Sequence, residues 1–146
     1  MPSRIEKTEE EWRAQLTPDQ FDVLRQHGTE PPFTGMYDKF FERGTYVCVA
    51  CHNPLFHSAS KFDAGCGWPS FDKVVSDAIE YHEDVRFGMR RIEFRCARCG
   101  GHLGHIFDDG PSETGQRYCT NSNTLLFVPE GAALPGEPAS DTLASV

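Results

Sequence analysis

Long apolar runs are missing from this 146-residue chain. Nothing in it approaches the ~20 consecutive apolar residues that a membrane-crossing helix needs. An excess of positive charge is missing too. Lys and Arg number 14 against 22 Asp and Glu, for a net charge of −8 and a pI near 5.1. Such a balance repels phosphate backbones and anionic lipid, which makes nucleic acid and membrane surfaces poor partners. The opening "MPSRIEKTEEEW" lacks the apolar core of a secretory signal and is too acidic for a transit peptide. The expected compartment is therefore the cytoplasm, where thiols stay reduced. Helical periodicity is scarce from Thr29 onward, while 13 Gly and 10 Pro signal many turns. With 38% hydrophobic and 25% charged residues the chain is an ordinary globular sequence. Its modest apolar content makes a staple, a metal or a cross-link, a natural addition.

What helix there is lies at the start. Thr8 with Glu11, and Thr17 with Gln20, have the spacing of capping boxes. In the second case Pro18 falls at the first helical position, Gly28 marks the end, and Phe21 and Leu24 share a face. The remainder reads as short strands: "GTYVC", "AIEYHEDV", "MRRIEFRC", "LGHIF", "QRYCTNS" and "TLLFV", separated by Gly, Pro, Asp and Asn. In "RRIEFRC" residues Ile92, Phe94 and Cys96 alternate with Arg91, Glu93 and Arg95. The expected fold is mainly β and antiparallel, with short N-terminal helices. Residues 1–7 read as an extension, 8–129 as the domain, and 130–146, rich in Pro, Gly, Ala and Ser, as a mobile tail.

Six cysteines in a reducing compartment suggest metal ligands or redox groups more than structural disulfides. "YVCVACHNP" and "FRCARCGGH" are the same object twice, a strand end running into C-x-x-C. Cys48, Cys51, Cys96 and Cys99 together supply four thiolates for one tetrahedral Zn²⁺. Gly100 and Gly101 relieve the crowded backbone after one knuckle, and His52 and Asn53 supply the turn after the other. The alternative of a thioredoxin-type pair lacks its βαβ context. Four thiolates also close the coordination sphere, so a structural ion is expected and a zinc hydrolase is not.

Cys66 and Cys119 are left over. Cys66 sits between glycines in "FDAGCGWPSF", a loop that can expose its thiol. If "QRYCTN" is extended, Arg117, Cys119 and Asn121 share one face, and a neighbouring guanidinium favours thiolate. The bland alternative is an inert thiol in a polar edge strand. His102 and His105, three residues apart, belong on opposite faces of a regular strand unless a bulge near Gly104 re-aims one. Asp108 and Asp109 look first like a solvated turn. Trp68 is either core or the wall of a small apolar pocket. Together these residues describe thiol redox chemistry without naming a substrate. A zinc-knuckle module that merely docks protein or RNA has no use for the two spare thiols.

The segments "CVAC", "KFDAGCGWPSF", "CARCGGHLGHIFDDG" and "TGQRYCTNSNTLLF", in this order, closely resemble the B-type methionine-R-sulfoxide reductases. The resemblance runs from the first helix to about Pro129. It implies two antiparallel sheets, a structural zinc held by four cysteines, and reduction of the R epimer of protein-bound methionine sulfoxide as repair after oxidative damage. By motif, Cys119 is similar to the nucleophile that becomes a sulfenic acid, and Cys66 to the resolving thiol that closes a disulfide with it. Trp68 resembles the wall for the substrate methyl. His102 and His105 resemble the groups that place or protonate the sulfoxide oxygen, supported by Asp109, Arg117 and Asn121. Thioredoxin is the implied reductant. One departure is Thr120, where members usually carry Ile or Val; it falls on the reverse face and implies a packing change.

Overall fold

A computed structural model of the protein describes residues 5–26, 28–31, 33–37, 40–85 and 90–132. The expected mobile tail lies mostly outside the described residues, as do the first four residues of the expected N-terminal extension. Both capping boxes form. Helix α1 spans Glu9–Gln15, with Glu11 N donating to Thr8 Oγ1 and Thr8 N to Glu11 Oε1. Helix α2 spans Pro18–Gln26 and repeats the exchange between Thr17 and Gln20. Trp12, Leu16, Phe21, Val23 and Leu24 are the buried side chains of this preface. Each such burial contributes roughly 1.5–3 kcal/mol, enough to dock helices too short to persist alone.

The strands are β1 Gly44–Cys48, β2 Pro54–His57, β3 Lys61–Phe62, β4 Ser70–Phe71, β5 Ile79–Asp84, β6 Arg91–Cys96, β7 His102–Phe107, β8 Arg117–Thr120 and β9 Leu125–Pro129. They form a small sheet in the order β2-β1-β9 and a larger one in the order β3-β4-β8-β7-β6-β5. Every pairing is antiparallel. Tyr46 and Phe56 from the small sheet meet Phe71, Phe94 and Tyr118 from the large one. Phe56 stacks on Phe71 at 4.1 Å, and Phe94 meets Tyr118 edge-on at 5.7 Å. These rings fill the space between the sheets and leave the other face of the large sheet for polar groups.

That second face depends on one irregularity. On β6 and β7, Phe94 opposes Gly104 and Arg95 opposes His102, with Leu103 as the extra residue. His105 then opposes Glu93, so both histidines fall on the side that carries Glu93 and Arg95. A bulge does re-aim the pair; it sits at Leu103 rather than at Gly104. Gly104 has a different duty. A Cβ there would collide with the carbonyl oxygen of Cys119 and crowd Thr120 Cα, so β7 and β8 approach through the missing side chain. Gly104→Ala is expected to lose about 1–3 kcal/mol of stability, the usual penalty of overpacking, measured by urea unfolding. Unchanged stability would show that the two strands need no such approach.

Candidate functional site

The paired knuckles converge. Cys48 ends β1 and Cys96 ends β6, while Cys51 and Cys99 stand in the turns that follow. Their four buried sulfurs lie within 4.8 Å of one another. Cys48 and Cys99 sulfurs are 3.7 Å apart, and those of Cys51 and Cys96 are 3.4 Å apart. Sulfurs held tetrahedrally at about 2.3 Å from one ion stand about 3.8 Å from each other, so this donor set can hold a metal ion. The two turns are drawn alike. His52 N donates to Cys48 O at 2.7 Å and Gly100 N to Cys96 O at 2.8 Å. Their φ angles are 65° and 75°. Glycine adopts that conformation freely, whereas His52 does so at a cost of about 1 kcal/mol. Around the cluster, Arg25 donates to Cys99 O at 3.0 Å, Arg98 to Cys51 O at 3.3 Å, and Asn53 Nδ2 to Ala78 O at 3.2 Å.

Cys66 and Cys119 form a separate centre. Cys119 in β8 opposes His105 on one side and Ser70 on the other. The loop before Ser70 curls back, through left-handed Gly65 and Gly67, and sets Cys66 Sγ 3.5 Å from Ser70 Oγ. Trp68 Nε1 donates to Glu30 O at 2.9 Å, which fixes the indole over the site. Trp68, Arg91, His105, Phe107, Cys119 and Asn121 border an open pocket of about 90 Å³. That suits the end of one side chain, far below the roughly 300–1,000 Å³ of pockets that enclose drug-sized ligands. Trp68 is thus a wall.

Cys66 and Cys119 influence each other's titration. Cys119 is the largest influence on Cys66; against opposing burial, and with help from Ser70, Trp68 O and Arg117, it brings that thiol down to about 5. Cys66, with burial, pushes Cys119 up against the pull of Arg117. The sequence put the thiolate on Cys119 through Arg117. In the structure each thiol is the largest influence on the other, and the guanidinium is a lesser one. Arg117 is occupied by a paired bond to Asp109, at 2.8 and 3.2 Å, and lies over Phe107 at 4.5 Å. That bond holds the Asp109 carboxyl below its usual range. Asp108 is exposed in the same turn and accepts from Gln116 Nε2 at 3.4 Å.

Asn121 departs from its expected duty on the strand face. It follows the last residue of β8 and is buried, with Oδ1 accepting from Glu30 N and Nδ2 donating to Leu103 O, both at 3.0 Å. Thr120 is buried on the core side and its hydroxyl donates to Leu103 O at 3.1 Å. The hydroxyl therefore meets a main-chain carbonyl that an aliphatic side chain would leave to Asn121 alone.

Behind the pocket stands a polar layer that sequence reasoning missed. His102 Nδ1 lies 2.6 Å from Glu93 Oε2, and Arg95 donates to Glu93 Oε1 at 2.9 Å. Burial raises the Glu93 carboxyl, but His102 and Arg95 outweigh it and bring it down to about 2. His105 Nε2 lies 2.8 Å from Asp84 Oδ2, with Arg91 at 3.5 Å from the same oxygen. Burial pushes the His105 imidazole below its ordinary value, with Arg91 and His102 adding to this and Asp84 opposing. The two rings are 5.4 Å apart. The signal was present in the sequence as charged residues alternating along "RRIEFRC", which look solvated until a second strand covers them.

Two adjacent reduced thiols at a small aromatic-walled pocket, set apart from a sealed cluster of four, define a thiol oxidoreductase. The chain belongs to the SelR domain family, whose model matches residues 16–129, the B-type methionine sulfoxide reductases. A peptide methionine sulfoxide reductase MsrB of Agrobacterium fabrum is 55% identical over 127 residues, covering 86% of this chain and 94% of the relative. Those of Chromohalobacter salexigens and Methanosarcina mazei are 56% and 55% identical over 131 residues, each covering 88% of this chain and 98% and 92% of themselves. No helix among the described residues is long and apolar enough to cross a membrane.

A thiol near 5 stays ionised as pH falls to that value, whereas an ordinary cysteine is nearly all thiol below about pH 7.5. Iodoacetamide at pH 6 is therefore expected to label Cys66 ahead of the other cysteines, as read by peptide mass spectrometry. A labelling rate that drops tenfold per pH unit between 8 and 6 contradicts this.

Proposed function

We propose that this protein reduces the R epimer of protein-bound methionine sulfoxide to methionine, as repair of oxidised proteins, with thioredoxin restoring the enzyme. The observation that carries the reading is that Cys66 and Cys119 both meet Ser70, the one through its sulfur and the other as its strand partner, beside a pocket bordered by Trp68, His105 and Cys119. The names of the relatives supply the substrate class. The reductase domain runs over residues 8–129, and reduced thiols suit the cytoplasm.

The sulfoxide methyl packs on Trp68, and the oxygen faces His105. Cys119 attacks the substrate sulfur as its thiolate. A proton delivered to the sulfoxide oxygen lets the S–O bond break. In balance, the Cys119 thiolate, the sulfoxide and one proton give the thioether and a Cys119 sulfenic acid; two electrons move from cysteine sulfur to methionine sulfur. The Cys66 thiol then condenses with that acid, releasing water and forming a Cys66–Cys119 disulfide for thioredoxin to reduce. Arg117, held by Asp109, balances negative charge on the sulfurs. Asn121 fixes the strand end that presents Cys119, and Glu93 fixes His102 behind the pocket.

Cys48, Cys51, Cys96 and Cys99 would hold one Zn²⁺ as a structural ion and leave no position on it for substrate. What zinc supplies there is a cross-link between the ends of β1 and β6.

Cys119→Ser is expected to abolish turnover of the R epimer with metal content unchanged. Cys66→Ser is expected to allow one turnover, more slowly, and to stop thioredoxin-driven cycling. Turnover of the S epimer alone by the wild type would overturn the reading. For the cluster, elemental analysis is expected to find one zinc per chain, and Cys99→Ser to lose it with a fall in Tm of more than ~10 °C, given that structural zinc contributes folding free energy outright. A metal-free protein with unchanged Tm would remove the ion from the account.

A further inference from the structure

Asp84 closes β5 and Arg91 opens β6, as direct cross-strand partners. Asp84 is 7% exposed. One of its oxygens, Oδ2, meets both His105 Nε2, at 2.8 Å, and the Arg91 guanidinium, at 3.5 Å. A carboxylate this deep stays charged only when it is paired, and Arg91 supplies that pairing without filling the place of the imidazole. His105 therefore gives its Nε2–H to Asp84, and Nδ1 is the ring nitrogen left for the pocket that His105 borders with Cys119. His102 is held the other way round, through Nδ1, by Glu93. The two carboxylates thus select opposite tautomers on two rings 5.4 Å apart.

We propose that Asp84 and Arg91 are a positioning pair for His105, fixing its Nε2–H toward β5 so that Nδ1 is the atom that gives its proton to the sulfoxide oxygen. This rests on the reductase reading above. In the step, protonated His105 releases H⁺ from Nδ1 as the Cys119 sulfur bonds to the substrate sulfur. The sulfoxide oxygen takes the proton, the S–O bond breaks as the hydroxyl passes to Cys119 to give the thioether and the sulfenic acid, and His105 returns to the neutral ring with Nε2–H still on Asp84. The groups that face His105 are Asp84 from β5, Arg91, Glu93 and Arg95 from β6, and His102 beside it on β7. From β8 come Cys119 and Arg117, with Cys66 beyond, among the described residues. Asp84 favours the charged ring, while Arg91 and His102 oppose it. The pair therefore works in opposition: one member steadies the acid and the other sharpens it.

Two readouts on the full-length, metal-loaded, reduced protein test the pair. In ¹⁵N NMR of the imidazoles, the neutral wild type is expected to show the Nε2–H tautomer at His105 and Nδ1–H at His102. The Nδ1–H tautomer at His105 overturns the proposal whether or not the protein has activity. In pH–rate profiles with methionine-R-sulfoxide, Asp84→Asn keeps an oxygen for Nε2–H but removes the charge. It is expected to move the alkaline limb of kcat down by about 1–2 pH units, the usual reach of a neighbouring opposite charge. Arg91→Gln is expected to move that limb up. A merely structural role lowers rates without moving the limb, so stationary limbs, or limbs that move the same way, overturn the pair. An inactive wild type would sink the reductase reading, and NMR titration of His105 in Asp84→Asn still judges the pair alone: a fall in its pKa supports it, and no fall overturns it.

Discussion

Four sulfurs meet where the end of β1 comes against the end of β6, and an ion held there would tie the small sheet to the large one. The aromatic layer between the sheets is generous but non-directional; it fixes how far apart they sit better than it fixes how they slide. A metal bound by the four sulfurs would remove that freedom. Because β6 is hydrogen-bonded to β7 and β7 to β8, a fixed end of β6 carries through two registers to Cys119. The helical preface belongs to the same tie. Arg25, which lies over Trp12 at 5.0 Å, donates to the carbonyl of Cys99, and Gln15 donates to that of Ala50.

The second constraint is the extra residue in β7. Without Leu103 as the extra residue, one of the two histidines would fall on the aromatic side of the sheet. With it, both join Glu93 and Arg95 on a face that is polar and yet buried. Two carboxylates and several cations packed there are costly to dehydrate unless each charge has a partner. They do: Glu93 with His102 and Arg95, Asp84 with His105 and Arg91. A layer of this kind contributes little net stability, but it leaves each ring one orientation, and orientation is what proton delivery requires.

How much of this could be read from the sequence follows from the range of the forces involved. The helix caps were legible because a capping box closes within four residues. The zinc knuckles were legible because C-x-x-C, written twice, is a local geometry with one common purpose. The mainly β class followed from alternation and turn residues. The position of the bulge was not legible, since it is decided by how Phe94 and Gly104 meet across strands. The sequence shows the charges of β6 on one face but not that the face is covered, because its cover, β7 and the pocket rim, comes from elsewhere in the chain. Asn121 was placed on the strand face by parity, but the strand ends one residue earlier and its amide is taken by Glu30 and Leu103. Arg117, as its neighbour on the strand face, favours a Cys119 thiolate. The leading influence comes instead from Cys66, fifty-three positions away in sequence and adjacent only because the Gly65–Gly67 loop folds back.

The two sulfur sets also need opposite surroundings, and the fold separates them accordingly. Ligand cysteines are protected from oxidation by burial and by sharing their electron density with a cation. Redox cysteines need access and a loop that can bring one sulfur onto the other within the narrow geometry of a disulfide. Cys48, Cys51, Cys96 and Cys99 are all buried, in turns closed by main-chain hydrogen bonds. Cys66 and Cys119 are half-buried, and β4 holds the Cys66 loop to the sheet by only two register pairs with β8. An oxidant that reaches the pocket therefore meets the half-buried pair first, and the buried quartet lies behind the knuckle turns.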